Sequence, residues 1–282
     1  MWLLLALSAA FLEATNDLIR KKATQEVDVV LFSCLYRLFG SIILFSALFF
    51  SPWPNIHNTF WPYLLISSLL NACATILYFW SLKHGDISDV VPLISLTPIF
   101  LIINGYFILG ERPALSSYLG IALIIIGSIY LALKPKSFKE KQVKSKLAKL
   151  AMVTVAVLWS FSSNFDKLGV ASSSPLLWSA SFDLSIAILL MPIVIYQGSY
   201  RIKTTKQMTI IVLGASLILA LATICQMTAI SLTLVSYVIS VKRFSIVITV
   251  IFGCLLLKES DFQRKIIASS LMIMGVIIIA LS

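Results

Sequence analysis

Ten long apolar stretches take up almost the whole of this chain of 282 residues. Each is roughly 16–24 residues long, close to the length that an α-helix needs to cross a bilayer. Charged residues make up only 12% of the sequence, about half their usual share in a soluble domain. We therefore expect an all-α integral membrane protein with ten transmembrane helices. The predicted spans are Trp2–Ile19, Val29–Phe50, Trp61–Leu82, Ile87–Leu109, Leu115–Leu133, Leu150–Leu168, Pro175–Tyr196, Met208–Ile230, Leu234–Leu257 and Ile266–Leu281.

The basic residues are distributed very unevenly between the two sides of these spans. The loops after spans one, three, five, seven and nine carry seventeen lysines and arginines, whereas the opposite side carries only Arg112 and Lys167. Basic loops stay in the cytoplasm. We therefore expect a cell membrane protein, in the cytoplasmic membrane of a bacterium, with its central loop in the cytoplasm and both termini outside. The net charge of +10 thus reflects topology and contact with the lipid bilayer, and we expect no nucleic acid partner.

The chain reads as a duplication. A Lys-rich linker at 134–149 separates two blocks of five spans, at 1–133 and 150–282. Three pairs of landmarks recur at nearly constant separation: Lys21 and Lys167 at 146 residues, Glu111 and Glu259 at 148, and Gly127 and Gly275 at 148. Because each block has an odd number of spans, the two blocks must enter the membrane in opposite directions. Inverted repeats of this kind are typical of secondary transporters.

The motifs of the two blocks resemble a known family. The first copy comprises Gly85–Phe100, Leu109–Glu111, Leu119-Gly120 and Ile126-Gly127, and the second comprises Ser231–Glu259 and Met274-Gly275. Together they resemble the EamA-type repeat of the drug/metabolite transporter superfamily, over essentially the whole chain. The resemblance implies two inverted five-helix repeats around a central cavity, working by alternating access. The second copy departs from the pattern, because Ser240 and Ile246 stand where the first copy has Pro92 and Pro98.

Six charged side chains are expected in the middle third of the membrane. An uncompensated charge near the bilayer centre costs roughly 2.5–3.5 kcal/mol on insertion scales, so such residues are functional candidates by default. They are Glu13, Asp17, Arg37, Asp183, Lys242 and Arg243.

The adjacent cations Lys242 and Arg243 are the most specific of these candidates. Arginine offers a planar fork for bidentate contact with an anion, and lysine offers a compact point charge. The pair resembles the Lys-Arg pair in the ninth helix of plastid sugar-phosphate transporters, and that resemblance implies binding of a substrate phosphate. The alternative is an internal salt bridge with Glu13 or Asp183.

The first span carries the candidate coupling groups. The stretch from Ala10 to Glu13, followed by Lys21, resembles the first helix of the small multidrug resistance transporters. That resemblance implies that Glu13 exchanges protons, and Asp17 is a second candidate for the same role. The alternatives for Glu13 are static pairing with Lys242 or Arg243 and a place in the cavity wall.

Arg37 and Asp183 are 146 residues apart and occupy equivalent places in the two blocks. An ion pair between them would lower the insertion cost of both, and the alternative is direct substrate contact. Tyr78 and Trp159 are candidate lining residues of a substrate cavity. Glu111 and Glu259 recur at span ends, where helix termination and surface solvation account for them.

The sequence shows no motif that indicates a metalloprotein or an ATP-driven protein. It has no metal-ligand spacing among Cys, His, Asp and Glu and no phosphate-binding loop for ATP, so we expect no metal, no cofactor and no enzyme. We predict a secondary transporter of a small polar metabolite, anionic or zwitterionic, that is proton-coupled or works by exchange. The alternatives are a multidrug exporter of the same fold for cationic compounds and a passive lipid scramblase or channel. A monomer and a homodimer are both compatible with the sequence.

Overall fold

The computed structural model describes residues 1–23, 28–84, 90–132, 142–198, 206–245, 247–248 and 262–282. Over these residues the chain is helical and contains no β-strand. The α-helices are α1 (Trp2–Ala23), α2 (Val29–Leu48), α3 (Phe60–His84), α4 (Thr97–Leu109), α5 (Leu115–Ala132), α6 (Gln142–Ala171), α7 (Pro175–Gln197), α8 (Lys206–Leu232), α9 (Val235–Lys242) and α10 (Phe262–Ala280). A 3₁₀ helix at Val91–Leu96 precedes α4.

Each predicted span overlaps one of these helices, in the predicted order. By length and composition, α2, α3, α6, α7 and α8 are long and apolar enough to cross a membrane, and shorter apolar helices lie in α4, α5 and α10. Helix α6 begins at Gln142, inside the predicted linker at 134–149, and the division into two repeats and a linker stays a prediction. Lysine and glutamine are good helix formers, so the polar end of this helix extends beyond the apolar span. The segment 133–141 lies outside the described residues.

The fourth span is divided by its prolines. Pro92 lies at the start of the 3₁₀ helix and Pro98 in the first turn of α4. Proline has no backbone N–H and therefore favours the first turn of a helix over its interior. At its other end, α4 stops at Gly110, whose φ of 68° is the left-handed conformation common after helices. The fourth span is thus interrupted where its two prolines lie.

The helices form two compact units. Unit 1 comprises residues 1–72 and 165–232, and unit 2 comprises residues 73–164 and 233–282. Each unit therefore combines segments from both predicted repeats. The inverted insertion of the two repeats into the membrane stays a prediction.

Four whole helices of unit 1 pack against one another, and the unit also includes parts of α3 and α6. In this unit α1 packs on α8, α2 packs on α7 and α8, and α7 packs on α8. The apolar residues Leu44, Ala180 and Ala220 form a buried cluster where α2, α7 and α8 meet. Gly40 permits the close approach of α2 to α8, because a Cβ atom there would lie 3.3 Å from the backbone oxygen of Ser216.

Unit 2 contains the close packing of α5 on α10. A Cβ atom on Gly120 would lie 2.7 Å from the backbone oxygen of Gly275, and one on Gly127 would lie 2.8 Å from the backbone oxygen of Ala268. Gly120 corresponds to Ala268 in the second repeat, and Gly127 corresponds to Gly275, because each pair is 148 residues apart. The contact of Gly120 with Gly275 and the contact of Gly127 with Ala268 are therefore equivalent in the duplication. This reciprocity is the pattern expected where equivalent helices of an inverted pair cross.

Substituting Gly120 by alanine should destabilise unit 2, because the backbone oxygen of Gly275 cannot move away as a side chain could. Overpacking of this kind costs about 1–3 kcal/mol. Thermal unfolding in detergent should show a lowered Tm. The matched control is Gly214→Ala in α8, where nothing lies within 4 Å of the added atom. Equal Tm values for the two variants would contradict this description of the α5–α10 contact.

Candidate functional site

An ion pair lies inside unit 1. Nη1 of Arg37, in the middle of α2, donates to Oδ1 of Asp183, in α7, at 2.6 Å. The Asp183 side chain is fully buried and that of Arg37 is 15% exposed. The structure thus contains the ion pair that the sequence predicts. Pairing is required here, because a buried charge without a partner would cost several kcal/mol.

Two further polar groups surround the Asp183 carboxylate within unit 1. The side chains of Thr223, in α8, and of Glu13, in α1, are both close enough to the Asp183 carboxylate to interact with it electrostatically. Glu13 and Asp17 are both partly buried, and they share one face of α1 because they are four residues apart. The cluster thus combines acidic groups with one guanidinium, a setting in which a carboxylate can exchange a proton.

The cationic pair lies at the end of a short helix in unit 2. The sequence predicts one continuous apolar span from Leu234 to Leu257, but α9 ends at Lys242, and Arg243 is its C-terminal capping residue. The backbone N–H of Arg243 still bonds to the carbonyl oxygens of Ile239 and Ser240. The chain is helical again at Ser245 and at Val247–Ile248, so both cations lie at a short interruption of the span.

Arg243 is also bonded to the broken fourth span. Its Nη2 donates to Oγ1 of Thr97 at 3.0 Å, and Thr97 in turn donates to the carbonyl oxygen of Ile94 at 2.6 Å. Thr97 stands at the junction between the 3₁₀ helix and α4. Two interrupted spans of unit 2 therefore meet at a guanidinium group. In transporters, interruptions of this kind provide the binding groups for polar solutes.

Tyr78 and Trp159 form an aromatic pair in the same unit. Their ring centroids are 5.9 Å apart, and both side chains are partly buried. They pack against a buried cluster that includes Val90 and Ile94, next to the 3₁₀ helix. Their role as lining residues stays a prediction.

The candidates thus fall into two groups. Glu13, Asp17, Arg37 and Asp183 belong to unit 1, and Lys242, Arg243, Tyr78 and Trp159 belong to unit 2. The predicted pairing of Glu13 or Asp183 with Lys242 or Arg243 stays a prediction. Among the described residues, no group of three or more His, Cys, Asp and Glu side chains could hold a metal ion.

Glu111 is buried, and its interpretation as a solvated span end is wrong. Its side chain is 8% exposed, and its two carboxylate oxygens accept the backbone N–H of Val235 at 3.2 and 3.0 Å. Val235 is the first residue of α9, so Glu111 caps the N-terminus of the helix that ends at Lys242. In the sequence, the recurrence of Glu111 and Glu259 at a separation of 148 residues could have indicated this structural role of Glu111. Glu259 lies outside the described residues.

Asp166 is a second buried carboxylate that the sequence analysis missed. Its Oδ1 accepts hydrogen bonds from Oγ of Ser67 at 2.6 Å and from Nε1 of Trp178 at 3.3 Å, all within unit 1. Trp178 lies so close to Gly169 that a Cβ atom on that glycine would overlap the indole ring. The contacts of Asp166 tie α3, α6 and α7 together. An acidic residue near the end of the predicted sixth span was the available signal.

Comparison with known proteins gives partial matches to transporters. The chain is 38% identical to an uncharacterized transporter in cobO 3'region of Sinorhizobium sp. over 72 residues, 26% of this chain and 51% of that protein. It is 26% identical to the pseudopaline exporter CntI of Pseudomonas aeruginosa over 95 residues, 34% of this chain and 33% of the exporter. It is 37% identical to the probable 4-amino-4-deoxy-L-arabinose-phosphoundecaprenol flippase subunit ArnE of Enterobacter sp. over 71 residues, 25% of this chain and 66% of that subunit. The first curated relatives are matched over about half of their own length.

Two broader matches cover nearly the whole chain. A crystal structure with 17% sequence identity superposes with a TM-score of 0.82, covering 99% of this chain and 96% of the other, which shows the shared fold. The model of the EamA-like transporter family matches residues 1–133 and 146–281. Because that match covers nearly all of both predicted repeats, this chain belongs to the EamA-like transporter family, whose members are membrane transporters and not enzymes.

Proposed function

We propose that this membrane transporter is a secondary transporter that moves a small polar metabolite, anionic or zwitterionic, by alternating access. The observation that carries the proposal is the end of α9, where Lys242 and Arg243 follow each other in a membrane span. Two cations at one helix end suit a phosphate or carboxylate group. A purely cationic solute would meet their repulsion.

Acidic groups also lie in the predicted membrane spans. In unit 1, Asp183 is bonded to Arg37, while Glu13 adds a further carboxylate to the same cluster. Because charges of both signs occur in the predicted spans, we propose zwitterionic solutes together with simple anions.

The proposed setting is the cytoplasmic membrane of a bacterium. The uneven distribution of lysine and arginine supports a cytoplasmic central loop and external termini. The proposed partners are a small-molecule substrate and the lipid bilayer, with the chain working as a monomer or a homodimer and without nucleic acid.

A lipid-linked anion is the second candidate substrate. One matched relative is named as a subunit of a probable flippase for a phosphoundecaprenol-linked sugar. Such a lipid presents the same phosphate chemistry to Lys242 and Arg243. Saturable flux with counter-exchange of a water-soluble solute would favour the small metabolite, whereas movement of a labelled phospholipid between leaflets without such exchange would favour the lipid substrate or a passive scramblase.

The screen that tests the substrate class is a thermal-shift measurement. A ligand that binds only the folded protein raises its Tm by mass action. The purified chain in detergent would be titrated with phosphorylated metabolites, amino acids and quaternary amines. We expect Tm to rise with members of the first two classes. A rise with quaternary amines alone would contradict the proposal and support an exporter of cationic compounds.

Replacing either Lys242 or Arg243 by alanine should abolish transport of an anionic ligand found in the screen, because the anion loses its counter-charge. Uptake into proteoliposomes is the measurement, with expression and Tm recorded for each variant. Lys146→Ala is the matched control, because it removes an equal charge from an exposed position in α6. Unchanged uptake in both Lys242→Ala and Arg243→Ala would remove the anion-site hypothesis.

Replacing Glu13 by glutamine should separate coupling from translocation. The amide cannot give up or take up a proton at neutral pH, so accumulation driven by a pH gradient should be lost while exchange of preloaded substrate continues. The readout is uptake into proteoliposomes with and without the gradient, and Asp17→Asn tests the second acid in the same way. If gradient-driven accumulation survives in Glu13→Gln, Glu13 is not the coupling group.

A further inference from the structure

A groove of about 570 Å³ lies between α4 and the start of α5, within unit 2. Its volume falls in the range of about 300–1,000 Å³ that is usual for small-molecule sites. The apolar wall is formed by Ile102, Ile103 and Phe107, and the last two are 51% and 79% exposed. Because Ile102 lies seven residues before the end of α4 at Leu109, this wall runs about 10 Å along the predicted span. The groove therefore offers an elongated apolar surface to a ligand that lies in the membrane.

The polar end of the groove is formed by Tyr106, Arg112 and Tyr118. Cζ of Arg112 lies 5.4 Å from the centroid of the Tyr106 ring, a cation–π contact that holds the guanidinium group in place. Within the part of the chain that the structure describes, this group forms no hydrogen bond or ion pair, and its side chain is exposed. Its five N–H donors can therefore bind an anion at the end of the apolar wall.

The loop that carries Arg112 is fixed by contacts with α9. The backbone N–H of Ala114 donates to Oη of Tyr237 at 3.0 Å, and the hydroxyl groups of Tyr237 and Ser117 are hydrogen-bonded at 2.6 Å. The loop begins at Gly110, whose left-handed conformation ends α4. Since these bonds already order the loop, a ligand of Arg112 does not have to order it on binding.

Arg112 is the exposed charge of this groove. Glu111 also borders the groove, but it is only 8% exposed, and both of its carboxylate oxygens lie at the backbone N–H of Val235. Arg112 also departs from the charge asymmetry of the chain, because it shares its predicted side of the membrane only with Lys167. A basic residue on this side does not help to set the predicted topology. A local anionic partner explains its presence.

We propose that this groove binds one anionic phospholipid, with the lipid phosphate on Arg112 and an acyl chain along Ile102, Ile103 and Phe107. A guanidinium group binds phosphate oxygens through two parallel N–H bonds, and the hydroxyl groups of the two tyrosines can donate further bonds. A soluble anion would leave the apolar wall in contact with the bilayer alone. A phosphatidylcholine would bring a quaternary ammonium group close to the exposed cation. The site does not depend on the substrate proposed for the cationic pair of α9.

The test counts the phospholipids bound to the purified full chain by native mass spectrometry. Phosphatidylglycerol and phosphatidylcholine with the same acyl chains are titrated separately, and we expect the wild type to bind the first phosphatidylglycerol more tightly. Arg112→Gln should weaken this binding by about tenfold or more, because a charge-assisted contact is lost, and should leave phosphatidylcholine binding unchanged. Lys146→Gln is the matched control, because it removes an equal charge from an exposed position in α6, and it should keep the wild-type preference.

A second pair of variants tests the apolar wall. Ile103→Ala should weaken the first binding of phosphatidylglycerol, whereas Ile188→Ala, which changes an isoleucine of similar exposure in α7, should not. The proposal is overturned if the wild type does not prefer phosphatidylglycerol, if the preference survives in Arg112→Gln, or if the two isoleucine variants bind alike. Displacement of the lipid by equimolar glycerol phosphate would assign the groove to a soluble anion. Loss of a dimer in Arg112→Gln without loss of lipid would assign it to a second copy of the chain, and either result would overturn the proposal.

Discussion

Every charged group buried in this apolar chain must be met by another group of the protein. In unit 1 that constraint is satisfied by the ion pair between Arg37 and Asp183, which joins α2 to α7 at 2.6 Å. Thr223 from α8 and Glu13 from α1 complete the surroundings of the carboxylate. Four helices of unit 1, α1, α2, α7 and α8, therefore contribute to one polar centre. The same centre includes Glu13, the acidic group that we propose for coupling.

In unit 2, the charged groups within the predicted spans lie at helix ends. The eight-residue helix α9 has the Glu111 carboxylate at its N-terminus and Lys242 and Arg243 at its C-terminus. The Glu111 carboxylate thus lies at the helix end where the N–H groups favour a negative charge. Arg243 also reaches Thr97, where the fourth span changes from a 3₁₀ helix to α4. Interrupted helices thus place polar groups inside the predicted membrane spans.

The parts of the fold that the sequence predicts are those encoded by local composition and by the duplication. Apolar length predicts the helices in order, and the separation of 146 residues predicts the pair of Arg37 and Asp183. The end of α9 at Lys242 was missed, because no proline or glycine marks it. The burial of Glu111 was missed for another reason, since its partner is a backbone N–H group 124 residues away, at Val235. A backbone N–H donor does not depend on the type of side chain, so a pattern of residue types does not reveal it.

The most direct test of buried charge pairing is a double-mutant cycle on Arg37 and Asp183. The free energy of unfolding would be measured in detergent for Arg37→Met, Asp183→Leu and the double variant. Each single change leaves one buried charge without its partner and should cost about 3–5 kcal/mol, whereas the double change replaces the pair by apolar groups and should recover most of that loss. Additive costs, or single variants as stable as the wild type, would contradict the account.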